Sequence, residues 1–205
     1  MLEIFQKGGP LMYPILFCSV LALAIFLERI WVYRGLSKQS RRLRDEVELL
    51  VRNEHIGDAL AICRERRTLL APIYVVALNA AGRSREQIKT LVEEVGERYS
   101  VTLDRYLGLL GTIATITPLL GLLGTVLGMI RAFTQLAIQG VGTPATLGGG
   151  ISEALITTAT GLSVAIPTML LHKYLTSRSD NIAHQLEIHA LDLVDLLAHD
   201  ANRSS

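Results

Sequence analysis

Three long apolar runs constrain the fold of this 205-residue chain more than any other feature. Residues 11–27, 106–130 and 154–171 contain no charged side chain. A helix needs roughly 20 apolar residues to cross about 30 Å of hydrocarbon, and residues 30–33 extend the shortest run toward that length. Half of all residues are hydrophobic and 19% are charged, which excludes an ordinary water-soluble domain. The sequence therefore predicts an all-α membrane protein with three transmembrane helices.

The apolar runs divide the chain into consecutive segments. These are a short N-terminus (1–10), transmembrane helix 1 (11–33), a helical loop (34–105), transmembrane helix 2 (106–133), a connection (134–153), transmembrane helix 3 (154–172) and an amphipathic tail (173–205). The loop carries 14 of the 20 Lys and Arg residues. Since cytoplasmic loops hold the excess of cations, we expect the loop and the tail inside the cell and the N-terminus and connection outside.

A cleavable signal peptide is the alternative for the first span. Lys7, the apolar run and the small residues Ala22 and Ala24 loosely resemble one. The run continues through Leu27 beyond that point, and Glu3 departs from a basic leader. We therefore expect a retained transmembrane helix.

Helical spacing also runs through the loop and the tail. Ser84 is a candidate N-cap with Gln87 three residues later, and the pattern that follows predicts one long helix, residues 86–133, that extends span two into the cytoplasm. Shorter helices are expected over residues 41–52 and 56–66. In the tail, one apolar stripe comprises Ile182, Leu186, His189, Leu193 and Leu197.

Small residues form a continuous seam on each of spans two and three. The seam of span two comprises Gly111, Ala114, Pro118, Gly121, Thr125, Gly128 and Ala132, and that of span three comprises Ala154, Thr158, Gly161, Ala165 and Thr168. Small side chains let membrane helices approach closely where no hydrophobic drive holds them together. The seams thus predict helix packing, and packing alone is the simplest interpretation.

Two threonines in these seams suggest a second role. Thr125 lies six residues before Arg131, and Thr158 lies five residues after Glu153, so antiparallel helices would place both hydroxyls at similar depth. A hydroxyl can hydrogen-bond water or a carboxyl group without carrying charge. The alternative is a bond to a carbonyl one turn earlier. We expect either that bond or a position facing a neighbouring helix for Thr112, Thr115, Thr117, Thr157 and Thr160.

Neither span interior contains a titratable group, although a proton relay requires one. If protons cross here, the carboxylate must come from another chain. Glu153, at the outer start of span three, is a candidate for guiding cations, whereas Glu28 is interpreted as a structural residue near the interface.

The motif at residues 117–128, TPLLGLLGTVLG, is followed by GISEALITTATGLSVAIP at residues 150–167. This pair resembles the signature of the MotA/TolQ/ExbB proton-channel family. Three spans with a large loop resemble the ExbB and TolQ branch, and the choice between ExbB and TolQ stays open. A MotA-like stator would be expected to have four spans.

The resemblance implies a multi-pass protein of the bacterial inner membrane with periplasmic N-terminus and cytoplasmic C-terminus. It also implies a homopentamer around a single-span ExbD-like or TolR-like partner, whose Asp binds protons. Proton passage would then energise a TonB-like or TolA-like protein that acts on the outer membrane. By motif position, Thr125 and Thr158 would line the pore, with Glu153 as the acidic residue of span three.

Other functional classes receive little support. A net charge of +1 argues against nucleic-acid binding. The sequence contains no HExxH, CxxC or phosphate-binding motif that would indicate an enzyme, a metal site or a cofactor. Gly148 to Gly150 follow no predicted strand and are expected to form a turn. A passive scaffold, whose seams only assemble partner helices in the lipid, remains the alternative to a proton channel.

Overall fold

The computed structural model describes residues 8–66, 68–139 and 144–203. Within these ranges the chain forms helices α1 (Met12–Arg52), α2 (Ile56–Glu65), α3 (Leu70–Asn79), α4 (Arg85–Leu103), α5 (Leu107–Gln139) and α6 (Pro144–Arg203). Three helical stretches, Met12–Arg52, Arg85–Ile138 and Gly148–Ala198, are long and apolar enough to cross a membrane. The predicted all-α fold with three long apolar helices is confirmed. Residues 1–7 of the predicted N-terminus and residues 140–143 of the predicted connection lie outside the described residues.

The helices contribute to two compact units. The first unit takes its described residues from Met1–Glu28 and Tyr106–Leu175. Its buried side chains include small ones such as Ala114, Ala154 and Ala165, while large apolar side chains such as Phe17 and Leu119 are more than half exposed. This reverses the usual order of a water-soluble domain and suits a lipid environment.

The second unit takes its described residues from Arg29–Arg105 and Thr176–Ser205. Its core is built from large aliphatic and aromatic side chains, among them Val47, Leu70, Tyr74, Ile88, Leu193 and Val194. Helix α3, which the sequence patterns did not predict, supplies much of this core. Its first turn is stabilised by Thr68 Oγ1, which accepts a hydrogen bond from the Ala71 amide at 3.1 Å.

The helix predicted over residues 86–133 is interrupted by a turn at Asp104–Tyr106. Tyr106 has a φ of 67°, in the left-handed region that a helix cannot continue through. The Leu103 carbonyl, which lacks a helical partner at the end of α4, accepts a hydrogen bond from the Tyr33 hydroxyl at 2.8 Å. Asp104 Oδ1 accepts a second one from Ser179 Oγ at 2.8 Å. Tertiary contacts therefore stabilise a turn without proline or glycine.

One further boundary differs from expectation, and another is confirmed. The turn predicted at Gly148 to Gly150 is wrong, because these glycines lie inside α6. A Cβ added to Gly148 or Gly149 would meet no atom within 4 Å, whereas a Cβ on Gly150 would lie 2.8 Å from the Cβ of Ala132. The start predicted at Ser84 is confirmed, since α4 begins at Arg85 and the Ser84 amide donates to Gln87 Oε1 at 3.4 Å.

Candidate functional site

Helices α5 and α6 approach each other along the two small-residue seams. A Cβ on Gly161 would lie 2.9 Å from the Thr117 carbonyl oxygen and 3.1 Å from Gly121 Cα. A Cβ on Gly128 would lie 2.9 Å from that of Ala154. Since these neighbours are backbone or Cβ atoms that cannot swing away, glycine is required for this approach.

The remaining seam residues lie on the same two helices. Ala114, Ala154 and Ala165 are buried, and Pro118 lies inside α5 at a half-buried position. At Gly111 a Cβ would lie 3.1 Å from His172 Nε2. The structure thus brings five of the predicted packing residues to the contact between α5 and α6 within one chain, namely Gly111, Gly121, Gly128, Ala154 and Gly161.

Thr158 bridges the two helices. Its hydroxyl donates to the Gly121 carbonyl of α5 at 2.8 Å. A Cβ on Gly121 would also lie 3.1 Å from Thr158 Cα, so the hydrogen bond forms where the backbones are closest. The Thr158 proton is therefore committed to a neighbouring helix and not to a carbonyl one turn earlier.

Thr125 bonds within its own helix. Its hydroxyl donates to the Leu122 carbonyl at 2.6 Å. Because Leu122 directly follows Gly121, the hydroxyls of Thr125 and Thr158 are bound to consecutive carbonyls of α5. The structure therefore places the two predicted pore threonines at the same turn, where each hydroxyl oxygen can still accept a hydrogen bond.

The other threonines behave largely as expected. Four of these threonines donate their hydroxyl to the backbone carbonyl four residues earlier. The pairs are Thr112 with Gly108, Thr115 with Gly111, Thr117 with Ile113 and Thr160 with Ile156. Thr157 differs, because its hydroxyl lies 2.9 Å from the Glu153 carbonyl and 2.7 Å from that of Gly8. This link between the N-terminal segment and α6 was not predicted.

Glu153 forms an ion pair with Arg131. Arg131 Nη1 donates to Glu153 Oε1 at 2.6 Å, and about a quarter of the Glu153 side chain is exposed. Gly9, with a φ of 70°, lies against the same carboxylate, which leaves no room for a Cβ there. Arg131 and Glu153 lie at the predicted outer ends of spans two and three, and these positions could have predicted their pairing.

A cavity of about 10 Å³ adjoins this ion pair and is lined by Gly8, Arg131, Glu153 and Thr157, among others. That volume is about one water sphere, and a water needs two to four polar partners. The carboxylate, the guanidinium and the Gly8 carbonyl can provide them. Among the described residues, no cluster of His, Cys, Asp or Glu could hold a metal ion.

Comparison with known proteins assigns the family. A sequence profile of the MotA/TolQ/ExbB proton channel family matches residues 65–188. The chain is 39% identical over 185 residues to the biopolymer transport protein ExbB-like 1 of Synechocystis sp., covering 86% of this chain and 71% of that protein. The same organism's ExbB-like 3 is 36% identical over 168 residues, 80% of each chain.

A solved structure has the same fold. The chain aligns with the C. jejuni MotAB structure at a TM-score of 0.65 over 97% of this chain and 78% of that one, with 19% identity. The paired motifs, the three apolar helices and these matches agree. The chain belongs to the MotA/TolQ/ExbB proton channel family, most like its ExbB and TolQ branch, and is a multi-pass inner-membrane protein.

Proposed function

We propose that this chain is the hydroxyl-lined subunit of a proton-driven motor, whose proton-binding carboxylate comes from a single-span ExbD-like or TolR-like partner. Several copies, five by family resemblance, would enclose the partner helices. Proton passage would energise a TonB-like or TolA-like protein that acts on the outer membrane. The chain itself is proposed to be neither an enzyme nor a cofactor-binding protein.

One observation carries this proposal. Thr125 and Thr158 are bound to consecutive carbonyls of α5 within residues 106–130 and 154–171, which contain no charged side chain. Hydroxyls in such surroundings can hydrogen-bond a carboxyl group but cannot carry a proton through a titration cycle. A channel with this lining needs an acid from another chain.

The proposed arrangement in the membrane follows the distribution of cations. Segments 1–10 and 134–153 would be periplasmic, and segments 34–105 and 173–205 cytoplasmic. Arg131 and Glu153 would then lie at the periplasmic mouth, where the carboxylate attracts cations. The ion pair with Arg131 suits a role in which Glu153 guides protons at the mouth without serving as the mid-membrane acceptor.

Removal of the two hydroxyls tests the proposal. Thr125→Val and Thr158→Val keep the side-chain shape, and each should abolish energy coupling in cells while the complex still assembles. Loss of one intramembrane hydrogen bond costs only about 0.6 kcal/mol on average, so assembly should survive. Thr112→Val, on the exposed side of α5, is the matched control and should retain coupling. Full coupling in both pore variants would contradict the assignment.

A passive scaffold is the second candidate, because the Thr158 hydroxyl already joins α5 to α6. Under that proposal the threonines contribute only to packing, and hydroxyl removal would be harmless. Seam enlargement, such as Gly121→Leu, would abolish assembly under either proposal. The valine variants therefore distinguish the two candidates and the glycine variant does not.

A further inference from the structure

An open groove lies within the second unit, between α4 and the C-terminal half of α6. Its volume is about 550 Å³, and its apolar floor includes Ile73, Val92, Leu186 and Ala190. Gly96 lines the groove, and a Cβ on it would meet nothing within 4 Å. The groove therefore has room for side chains from another helix.

The rim of this groove is acidic. It carries Glu93, Glu97, Asp180 and Glu187. Glu93 lies 3.6 Å from Lys89 and Glu187 lies 3.7 Å from His184, both at exposed positions. Across the described part of the chain, Glu97 and Asp180 form no ion pair. An apolar floor with an acidic rim fits an amphipathic helix with basic side chains.

The same chain presents such a helix. Arg34, Lys38, Arg41 and Arg42, here called the basic stripe, share one face of α1 and are exposed. No ion pair within the described ranges involves them. Their long aliphatic stems can cover apolar surface while the charged groups reach acidic partners. Asp45 continues this face beyond the stripe.

The groove and the basic stripe occupy the same level of the second unit. The unit's first chain segment begins at Arg29 in α1 and ends at Arg105 after α4, and its second begins at Thr176 in α6. The stripe lies 5 to 13 residues beyond Arg29. The groove residues Asp180 to Leu191 lie 4 to 15 residues from Thr176, and Ser100 to Val92 lie 5 to 13 residues from Arg105.

This match in level matters because subunits of a ring around the membrane normal are related by rotation, which preserves depth. At about 1.5 Å per residue, both surfaces lie roughly 8–20 Å along their helices from Arg29, Arg105 and Thr176, the residues that bound the unit. The groove and the stripe are different surfaces of one unit, and head-to-tail contacts between different surfaces form a ring when the rotation between copies closes.

We propose that the acidic groove binds the basic stripe of a neighbouring copy of this chain. The inference rests on the self-assembly included in the proposed function and is independent of proton conduction. Charge complementarity sets the register of the contact, and the apolar floor takes up the aliphatic stems.

Cysteine cross-linking of the full chain in membranes tests this contact. Cys18 and Cys63 are first replaced by alanine, and Gly96→Cys is combined with Lys38→Cys. Each copy then carries one cysteine in the groove and one in the stripe, so oxidation should produce a ladder of dimers, trimers and larger species. Each single-cysteine variant should give no ladder. Glu94→Cys with Lys38→Cys is the matched control, since Glu94 is exposed on α4 but does not line the groove.

Charge reversal tests the electrostatic part. In the cross-linking pair, Arg41→Glu should reduce the yield by at least about threefold, and added Glu93→Arg, at the same level of the groove rim, should restore it. A fall without restoration would contradict the assigned register.

Three other results would overturn the inference. If native mass spectrometry shows assembled copies but the cysteine pair gives no ladder, the contact is wrong while the assembly stands. A cross-linked product that contains a protein of different mass would show that another protein, and not a second copy of this chain, occupies the groove. A chain that is purely monomeric in membranes would remove both this contact and the assembly in the proposed function, whereas a failed hydroxyl test with an intact ladder would remove only proton conduction.

Discussion

Helix α6 buries different residues in the two units. In the first unit its buried positions include Ala154, Gly161 and Ala165, and in the second unit they include Leu186 and Leu193. Lipid tails are as apolar as leucine, so membrane helices gain from close backbone packing, whereas in water the burial of large aliphatic side chains supplies the driving force. The change of side-chain size along one helix thus indicates a change of solvent.

Enlarging the seam should break the first unit and have the largest effect. Gly161→Leu would drive a side chain into the Thr117 carbonyl and the Gly121 backbone, so we expect a loss of about 3 kcal/mol or more and little folded protein in membranes. The measurement is the fraction of detergent-extracted protein that is monodisperse. Gly108→Leu is the control, because a Cβ there meets nothing within 4 Å, and equal loss in both variants would contradict the close-packed seam.

Shrinking a core residue should destabilise the second unit. Leu193 is 2% exposed, and Leu193→Ala should cost about 2–5 kcal/mol through lost burial and a cavity. The shift appears as a lower midpoint of thermal unfolding. Leu49→Ala, at a position 63% exposed, should change the unfolding free energy by less than about 0.5 kcal/mol. Similar shifts for both leucines would refute the description of this core.

The reactivity of Cys63 measures how often the second unit opens, and it needs no substitution. The thiol is buried, and burial raises its pKa to about 11. At pH 8 only about a thousandth of the thiol would be ionised, so alkylation by a water-soluble maleimide should be slow until the unit opens. Mass spectrometry of the Cys63 peptide follows the reaction. Rapid labelling of the native protein would contradict the buried position, and Leu193→Ala should accelerate labelling.

Much of the fold could be predicted from the sequence because lipid imposes simple rules. Uncharged runs reveal spans, and small residues at three-four spacing reveal the α5–α6 interface. The turn at Asp104–Tyr106 could not be predicted, since it depends on Tyr33 and Ser179, which are distant in sequence. Helix α3 was missed because its short, almost wholly apolar sequence has no polar face to reveal a helical period.

The candidate site was predictable in position but not in bonding. The similar separations of Thr125 from Arg131 and of Thr158 from Glu153 predicted similar depth for the two threonines, and both hydroxyls are bound at one turn of α5. The sequence could not reveal that Thr158 donates across to Gly121, since that depends on how closely the two backbones approach. The contact of Gly8 with Thr157 depends equally on the packing of distant segments.

Proton flux in liposomes tests most directly whether the proton-binding carboxylate comes from a partner protein. The purified chain is reconstituted alone and together with the single-span protein that co-purifies with it, and internal pH is followed after a potassium diffusion potential is applied. We expect liposomes that contain the chain alone to show the same proton flux as empty liposomes. Liposomes that contain the complex should acidify inside, and an Asp→Asn variant of the partner should return the proton flux to background. Equal flux by the chain alone would contradict the account.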